Sequence, residues 1–288
     1  MINHVLEVQG LDKFFGKTQI LCGINFSIGN GEAYGLIGQN GAGKTTLIRL
    51  ISGLMKPTRG NISVNTNRPF IGYMPQSCRF DDNSNVANTI AFFSSVKKAN
   101  ISSALALCSK LELDTAKKVK HLSPGQQKKL QIVIAMAGDP DFYILDEPTA
   151  GLDPKATYEI MEVIKSIRQN GKSILVSSHI LSDMDEICTH TAIIENGRIV
   201  HSGKIEESYI VKTSPVPWDI LEILKKDYLV QANSDTTVLT ITADKSKVSE
   251  LVKELTAHEI GVFEVSAFNV KNVVQKQIGM NGKGAVNE

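Results

Sequence analysis

The sequence lacks the features that would place this protein in a membrane, in a secretory route or on nucleic acid. In its 288 residues no apolar run approaches the roughly 18 residues that a membrane-spanning helix needs. The first seven residues contain an early acid and no basic segment, so they do not have the pattern of a secretory signal. The net charge is only +1, which provides no general attraction for nucleic acid. We therefore expect a protein that stays inside the cell and has no nucleic-acid partner.

Cysteine and histidine are too scattered to build a disulfide or zinc framework. No two of the four cysteines form a C-x-x-C pair, and no two of the six histidines have the H-E-x-x-H spacing. We interpret the cysteines as packing residues and expect no structural metal. The remaining composition, 42% hydrophobic and 21% charged, is typical of a globular protein.

The most informative stretch that is present is a glycine-rich run over residues 35–50. It reads G-x-x-x-x-G-K-T and lies between a short apolar run and a segment with helical spacing, which is the context of a phosphate-binding loop. The glycines allow successive backbone N–H groups to point inward, and the start of a helix adds partial positive charge. Lys44 adds a full charge, and Thr45 supplies a hydroxyl for Mg²⁺. This stretch predicts a site that binds a phosphorylated ligand.

Two later apolar runs end in groups that could act on the same phosphate. The run 142–147 ends in Asp146 and Glu147, which could orient a hydrated Mg²⁺ and polarise an attacking water, respectively. The run 173–179 ends in His179. If the strands are parallel, these groups emerge at one edge of the sheet, where ligands bind in such folds. The alternatives are a solvated turn for the acids and a structural role for the histidine.

Residues 77–121 change in character and read as a helical insertion, with apolar positions at helical spacing and no strand pattern. At the end of this insertion, Ser123 is predicted to cap a helix whose first position is Pro124. The N–H groups at that helix start could receive a second anion. Phe15, in a stretch predicted to be a polar loop, either stacks on a flat ring or folds onto the core.

The order of these motifs resembles the nucleotide-binding domain of ABC transporters over about residues 3–208. The resemblance implies an α/β P-loop NTPase cassette with a parallel-sheet core, an antiparallel β subdomain and the helical insertion. It implies ATP hydrolysis, with ATP and Mg²⁺ bound, and assigns catalysis to Lys44, Glu147 and His179. It assigns the metal to Thr45, Gln76 and Asp146. The nucleotide-binding residues that it implies are Phe15, Gly38, Asn40, Gly41, Ala42, Gly43, Lys44, Thr45, Thr46, Gln76, Ser123, Gly125, Gln126 and Asp153.

The resemblance also implies partners. Two ATPase subunits, identical or different, would close head to tail so that each ATP lies between one phosphate loop and the other subunit's signature, residues 123–126. A separate transmembrane permease would hold them at the inner face of the cell membrane. The usual signature is Leu-Ser-Gly-Gly-Gln, and Pro124 here replaces the first glycine and removes a backbone donor. We expect an altered affinity for the phosphate and not a loss of function.

Residues 209–278 form a second predicted domain, followed by a flexible tail over 279–288. Strand and helix patterns in the order βαββαβ predict a small α+β ferredoxin-like unit. It is similar to the C-terminal extension of drug and lantibiotic-type exporter ATPases. The leading hypothesis is thus an exporter ATPase for an antibiotic, peptide or drug. The alternative is a soluble ABC-type ATPase with a regulatory or ribosome-associated role.

Overall fold

The computed structural model describes residues 4–67, 71–178, 187–205, 208–243 and 245–268. The chain divides into two compact units, Met1–Lys204 and Ile205–Glu288, each with its own hydrophobic core. Among the described residues, no helix combines the length and the hydrophobicity needed to cross a membrane.

The first unit alternates strands and helices. Its elements are β1 (His4–Phe15), β2 (Thr18–Gly29), β3 (Ala33–Ile37), α1 (Lys44–Ile51), β4 (Arg59–Val64), β5 (Gly72–Met74), α2 (Val86–Val96), α3 (Ser102–Lys110), α4 (Pro124–Met136), β6 (Phe142–Asp146), α5 (Pro154–Gln169), β7 (Ser173–Ser178), β8 (His190–Glu195) and β9 (Arg198–Lys204).

A six-stranded sheet in the order β5-β6-β7-β3-β8-β9 forms the centre of this unit. All its neighbouring strands are parallel except the β8–β9 pair. Every residue of β3, β6 and β7 is buried, as expected for parallel strands covered on both faces. The register pairs Ile37 with Ser178 and Asp146 with Ser177, so the chain leaves β3, β6 and β7 at one edge of the sheet.

A second, antiparallel sheet has the order β2-β1-β4. Apolar side chains of β1 and β2 pack with those of α1 and of the central strands in one cluster. One sequence interpretation is wrong here, because Phe15 is the last residue of β1 and does not lie in a loop. The residues around it are mostly polar and are half-buried or exposed, so they lack the alternation of apolar and polar residues that indicates a strand.

The segment predicted as a helical insertion contains α2 and α3, and both lie between β5 and α4 in the chain. The side chain of Asn85 caps α2 by accepting a hydrogen bond from the backbone N–H of Asn88 at 2.7 Å. A short 3₁₀ turn, Val119–His121, then leads into α4.

The second unit contains β10 (Ser208–Thr213), α6 (Trp218–Asp227), β11 (Leu229–Ala232), β12 (Val238–Thr242), α7 (Lys245–Ala257) and β13 (Val262–Phe268). Its sheet has the order β11-β12-β10-β13, and each neighbouring pair is antiparallel. Alternate residues of the strands, such as Leu239 and Ile241, pack with leucines of the two helices in a separate core.

Candidate nucleotide-binding site

The loop between β3 and α1 is built from glycines because side chains would not fit. Gly43 has a φ of +108°, and a Cβ there would lie 2.7 Å from Leu21 Cδ2. A Cβ on Gly38 would lie 2.5 Å from the carbonyl oxygen of Ile194. Gly41, with a φ of +83°, has no atom within 4 Å of its Cβ position and faces open space. The loop therefore wraps tightly against β2 and β8 on one side and is open on the other.

Lys44, the first residue of α1, places its ammonium inside the curve of this loop. Its Nζ donates to the carbonyl oxygens of Gly38 at 2.6 Å and Gln39 at 3.2 Å, and lies 3.5 Å from Glu147 Oε1. The lysine side chain is only 6% exposed and that of Glu147 only 5%. A cation from the phosphate loop and an anion from the end of β6 thus meet at one place.

Asp146 ends β6 as a fully buried carboxylate. One oxygen, Oδ1, accepts a hydrogen bond from Ser177 Oγ at 2.7 Å. The other oxygen, Oδ2, is buried and has no hydrogen-bond partner among the described residues. Such an oxygen is costly to leave unpaired, so it fits a donor that comes with a ligand, for example a metal-bound water.

Glu147 has an unusual backbone for a residue with a large side chain, with a φ of +51°. Its N–H donates to the carbonyl oxygen of Ser177 at 3.2 Å and to Ser177 Oγ at 3.0 Å. Its carbonyl oxygen accepts from Lys128 Nζ at 3.1 Å. Contacts on both sides of the residue hold this left-handed conformation and direct the carboxylate toward Lys44.

Lys128, on α4, is a buried cation that the sequence did not identify as part of the site. Its Nζ donates to the carbonyl oxygen of Gln76 at 2.7 Å as well as to that of Glu147. Burial lowers the pKa of this lysine, while the carboxylates of Asp146 and Glu147 act in the opposite direction. A lysine near a helix start normally faces water, so only the tertiary structure reveals its position.

The open side of the loop faces a cavity of about 480 Å³. Phe15 lies at its rim, 48% exposed, with Lys13 Nζ 5.1 Å from the ring centroid. The size suits a small-molecule ligand. The residues that line the cavity are Phe15, Ile20, Gln39, Asn40, Gly41, Gly43, Lys44, Thr45, Thr46, Gln76 and Glu147.

The signature residues form a second cluster that is not part of this lining. Ser123 Oγ accepts from the N–H of Gln126 at 3.2 Å, and Gln126 Oε1 accepts from the N–H of Ser123 at 3.1 Å, a capping box at the start of α4. Asp153 caps α5 by accepting from the N–H of Ala156 at 2.9 Å. A Cβ on Gly125 would lie 3.3 Å from Ala156 Cβ, so the starts of α4 and α5 are in contact.

Three further residues were predicted from the sequence to belong to the site. Gly38 lies under Lys44 at the base of the loop, and Ala42 lines a cavity of about 310 Å³ on the other side of the loop, next to Ile194. His179 lies outside the described residues. Among the residues that the structure does describe, no group of three or more His, Cys, Asp and Glu side chains could hold a metal.

Comparison with known proteins connects this geometry to a family. The family model for ABC transporters matches residues 21–150. An uncharacterized ABC transporter ATP-binding protein of Methanocaldococcus jannaschii is 35% identical over 208 residues, which are 70% of this chain and 78% of that protein. The Nod factor export ATP-binding protein I of Burkholderia orbicola is 32% identical over 237 residues, 77% of each chain.

The fold is also similar to that of solved ABC transporter proteins. The ATP-binding subunit of an ABC transporter is 29% identical, with a TM-score of 0.64 over 70% of this chain and 90% of that one. A dimeric ATP-binding cassette bound to ADP and phosphate shares the fold, with a TM-score of 0.63 at 23% identity. The glycine loop, the acids at the end of β6 and these relatives lead to one conclusion: the chain belongs to the ATP-binding subunits of ABC transporters and is an ATPase.

Proposed function

We propose that this chain hydrolyses ATP to drive export through a separate membrane subunit. The observation that carries the proposal is the 3.5 Å distance between Lys44 Nζ and Glu147 Oε1 at the cavity. One group is suited to hold a triphosphate, and the other to activate water beside it. Their meeting in one buried place supports a hydrolytic site and not only a binding site.

In this proposal, the nucleotide replaces interactions that Lys44 makes within its own chain. The ammonium leaves the carbonyl oxygens of Gly38 and Gln39 for phosphate oxygens, which carry more charge. The backbone N–H groups at the start of α1 add to this electrostatic attraction. Glu147, released from its ion pair with Lys44, then orients a water for in-line attack on the terminal phosphate.

We propose that Mg²⁺ accompanies the nucleotide. Thr45 and Gln76 line the cavity, and Asp146 Oδ2 is a buried acceptor without a described partner, so this set of oxygens fits a hydrated Mg²⁺. When bound, the ion would neutralise charge on the phosphates. We assign Phe15 to stacking on the adenine ring, because it is a half-exposed aromatic residue at the rim.

A second ATPase subunit would complete the site. Ser123, Gly125, Gln126 and Asp153 are placed around the starts of α4 and α5 and do not belong to the lining of the cavity in their own chain. This supports the proposal that they serve the ATP of a partner subunit in a head-to-tail dimer. We assign His179 to the same catalytic site on sequence grounds alone.

Export is favoured by the names of relatives. Nod factor export ATP-binding proteins from several bacteria match more than three quarters of this chain at 30–32% identity. We propose export of a small molecule such as an antibiotic, peptide or drug, with the chain at the inner face of the membrane. Within the family, we propose that this chain belongs to the branch of drug and lantibiotic exporter ATPases.

The helical segment offers a surface for the membrane subunit, which we call the aromatic patch: Phe80, Phe92, Phe93 and Val96. Phe93 packs edge-to-face with both Phe80 and Phe92, with ring centroids 5.9 and 5.3 Å away. Phe92 and Val96 are 63% and 66% exposed. Exposed apolar clusters mark interaction sites. We propose that cytoplasmic helices of the permease bind at this patch, whose first residue, Phe80, follows shortly after Gln76 in the chain.

We further propose that the second unit is a ferredoxin-like domain. Its element order and its sheet order β11-β12-β10-β13 support this, because the hairpin β11–β12 and the outer strand β13 flank β10 as in a split βαβ unit.

Glu147→Gln tests the catalytic assignment. The substitution keeps the size of the side chain but removes its charge, so the variant should bind ATP and lose turnover by about 10²–10⁴-fold. ATP should also trap the variant as a dimer, measured by size-exclusion chromatography with light scattering. Wild-type turnover in Glu147→Gln would remove Glu147 from catalysis. A variant that never dimerises with ATP would contradict the head-to-tail arrangement.

A further inference from the structure

Lys128 connects three parts of the first unit that carry different motifs. It belongs to α4, which begins at the signature, and its Nζ donates to the carbonyl oxygens of Gln76 and Glu147. Gln76 follows β5, and Glu147 follows β6. One ammonium group therefore joins the signature helix to the backbone at two positions beside the nucleotide cavity.

The contact with Glu147 falls on a backbone that needs support. A left-handed φ in a residue with a Cβ costs free energy and persists only where surrounding contacts impose it. Ser177 holds the N–H side of Glu147, and Lys128 and the N–H of Ala150 hold its carbonyl side. Without the ammonium, this carbonyl loses a charge-assisted donor and keeps the weaker N–H of Ala150. The position of the Glu147 carboxylate would then be less well fixed.

From this geometry we infer that Lys128 is a positioning residue that couples the signature helix to the hydrolytic site of its own subunit. The inference rests on the proposed function, in which the signature contacts the ATP held by the partner subunit. A shift of α4 on contact with that ATP would reach Gln76 and Glu147 through one buried side chain. Hydrolysis at one site would thereby depend on whether the other site is closed.

Lys129 offers a matched control on the same helix. Both lysines are 8% exposed. Lys129 Nζ donates to the carbonyl oxygen of Leu111 at 2.8 Å and pairs with Glu159 at 2.6 Å, so it connects α4 to the C-cap of α3 and to α5. Lys128→Met and Lys129→Met each remove a buried charge from α4, but only the first removes a contact with Glu147.

The test compares steady-state ATPase kinetics of the full chain with ATP binding by a fluorescent analogue. We expect Lys128→Met to lower kcat by up to about 10²-fold, the scale of a small misplacement of a catalytic group, with KM and analogue affinity near wild type. Lys128→Arg, which keeps a charged donor, should recover much of the loss. Lys129→Met should keep kcat even if its melting temperature falls.

A double variant separates positioning from general damage. If Lys128 acts through Glu147, adding Lys128→Met to Glu147→Gln should cost far less turnover than the product of the two single effects. Unchanged kcat in Lys128→Met, an equal loss in Lys129→Met, or fully multiplicative effects would each overturn the inference. Absence of ATPase activity in the wild-type protein would instead contradict the proposed function itself.

Discussion

At the scale of single residues, the site depends on a lysine that the surrounding loop holds in place. Lys44 donates to two loop carbonyls and lies beside a carboxylate, and its side chain is nearly inaccessible. The structure thus has a preformed loop with the cation at its centre. In the proposed function, phosphate oxygens replace these carbonyl acceptors.

Lys44→Ala should lower the affinity for ATP by about 10–100-fold, the value of one or two hydrogen bonds to a charged group. Isothermal titration calorimetry with Mg²⁺ and ATP would measure it. Lys172→Ala is a suitable control, because that lysine pairs with Asp139 and Asp141 and does not belong to the cavity lining. Wild-type affinity in Lys44→Ala would refute its assignment to the phosphates.

Sequence spacing was sufficient for some residues of the site and insufficient for others. The G-x-x-x-x-G-K-T pattern grouped Lys44, Thr45 and the glycines because they are neighbours in the chain, and most of them line one cavity in the structure. Lys128 was not identified, because its role depends on two carbonyls that are 52 and 19 residues away in the chain. Ser177, which bonds to both Asp146 and Glu147, was missed for the same reason.

At the scale of elements, the first turn of α4 has one structural role and one proposed functional role. Its capping box stabilises the helix, and in our proposal the Ser123 hydroxyl also meets the partner's ATP. Ser123→Ala should lower the free energy of unfolding by about 1 kcal/mol, as for other caps, and should also reduce turnover. Denaturant unfolding and ATPase assays of the same preparation would measure the two effects.

Asn85→Ala is the control that separates the loss of stability from the loss of turnover. Asn85 caps α2 through one hydrogen bond to the backbone, so its loss should cost a similar free energy. Because we assign Asn85 no role at the nucleotide, its turnover should stay near wild type. Equal losses of turnover in both variants would mean that Ser123 acts only as a cap.

The strands of the central sheet were easier to predict than their neighbours. Largely apolar runs identified β3, β6 and β7, because strands buried on both faces favour apolar side chains. Their buried polar residues, such as Asp146 and Ser177, lie at the strand ends. The helical spacing within residues 77–121 predicted helices without fixing their ends, which the structure places at Val86–Val96 and Ser102–Lys110. Apolar residues beyond a helix end still pack on the core, so periodicity alone does not fix a boundary.

At the scale of the whole molecule, the aromatic patch should decide whether the chain joins a membrane complex. Phe92→Asp places a charge on an exposed residue of this patch and should abolish co-purification with a membrane subunit that has several spanning helices. The ATPase activity of the purified chain should remain, because a substitution at a residue 63% exposed rarely disturbs the fold.

Leu54→Asp is the matched control for this experiment. Leu54 is also 63% exposed but follows α1 in the chain and does not belong to the helical segment or to the aromatic patch. It should retain the membrane partner. If Phe92→Asp also retains the partner, the aromatic patch is not the docking surface. If both variants lose the partner, an added surface charge disrupts the complex at either position, and the experiment contradicts a specific role of the patch.

The sequence by itself determined the family, the phosphate loop and the order of the motifs. This was possible because each motif consists of residues that are close together in the chain. Only the tertiary structure decided that the Lys44 ammonium faces the Glu147 carboxylate, that Asp146 keeps a buried oxygen without a described partner, and that Lys128 reaches across from α4. These facts arise where the parallel strands end side by side at one edge of the sheet. Pairing between strands far apart in sequence creates that edge, and no local pattern contains it.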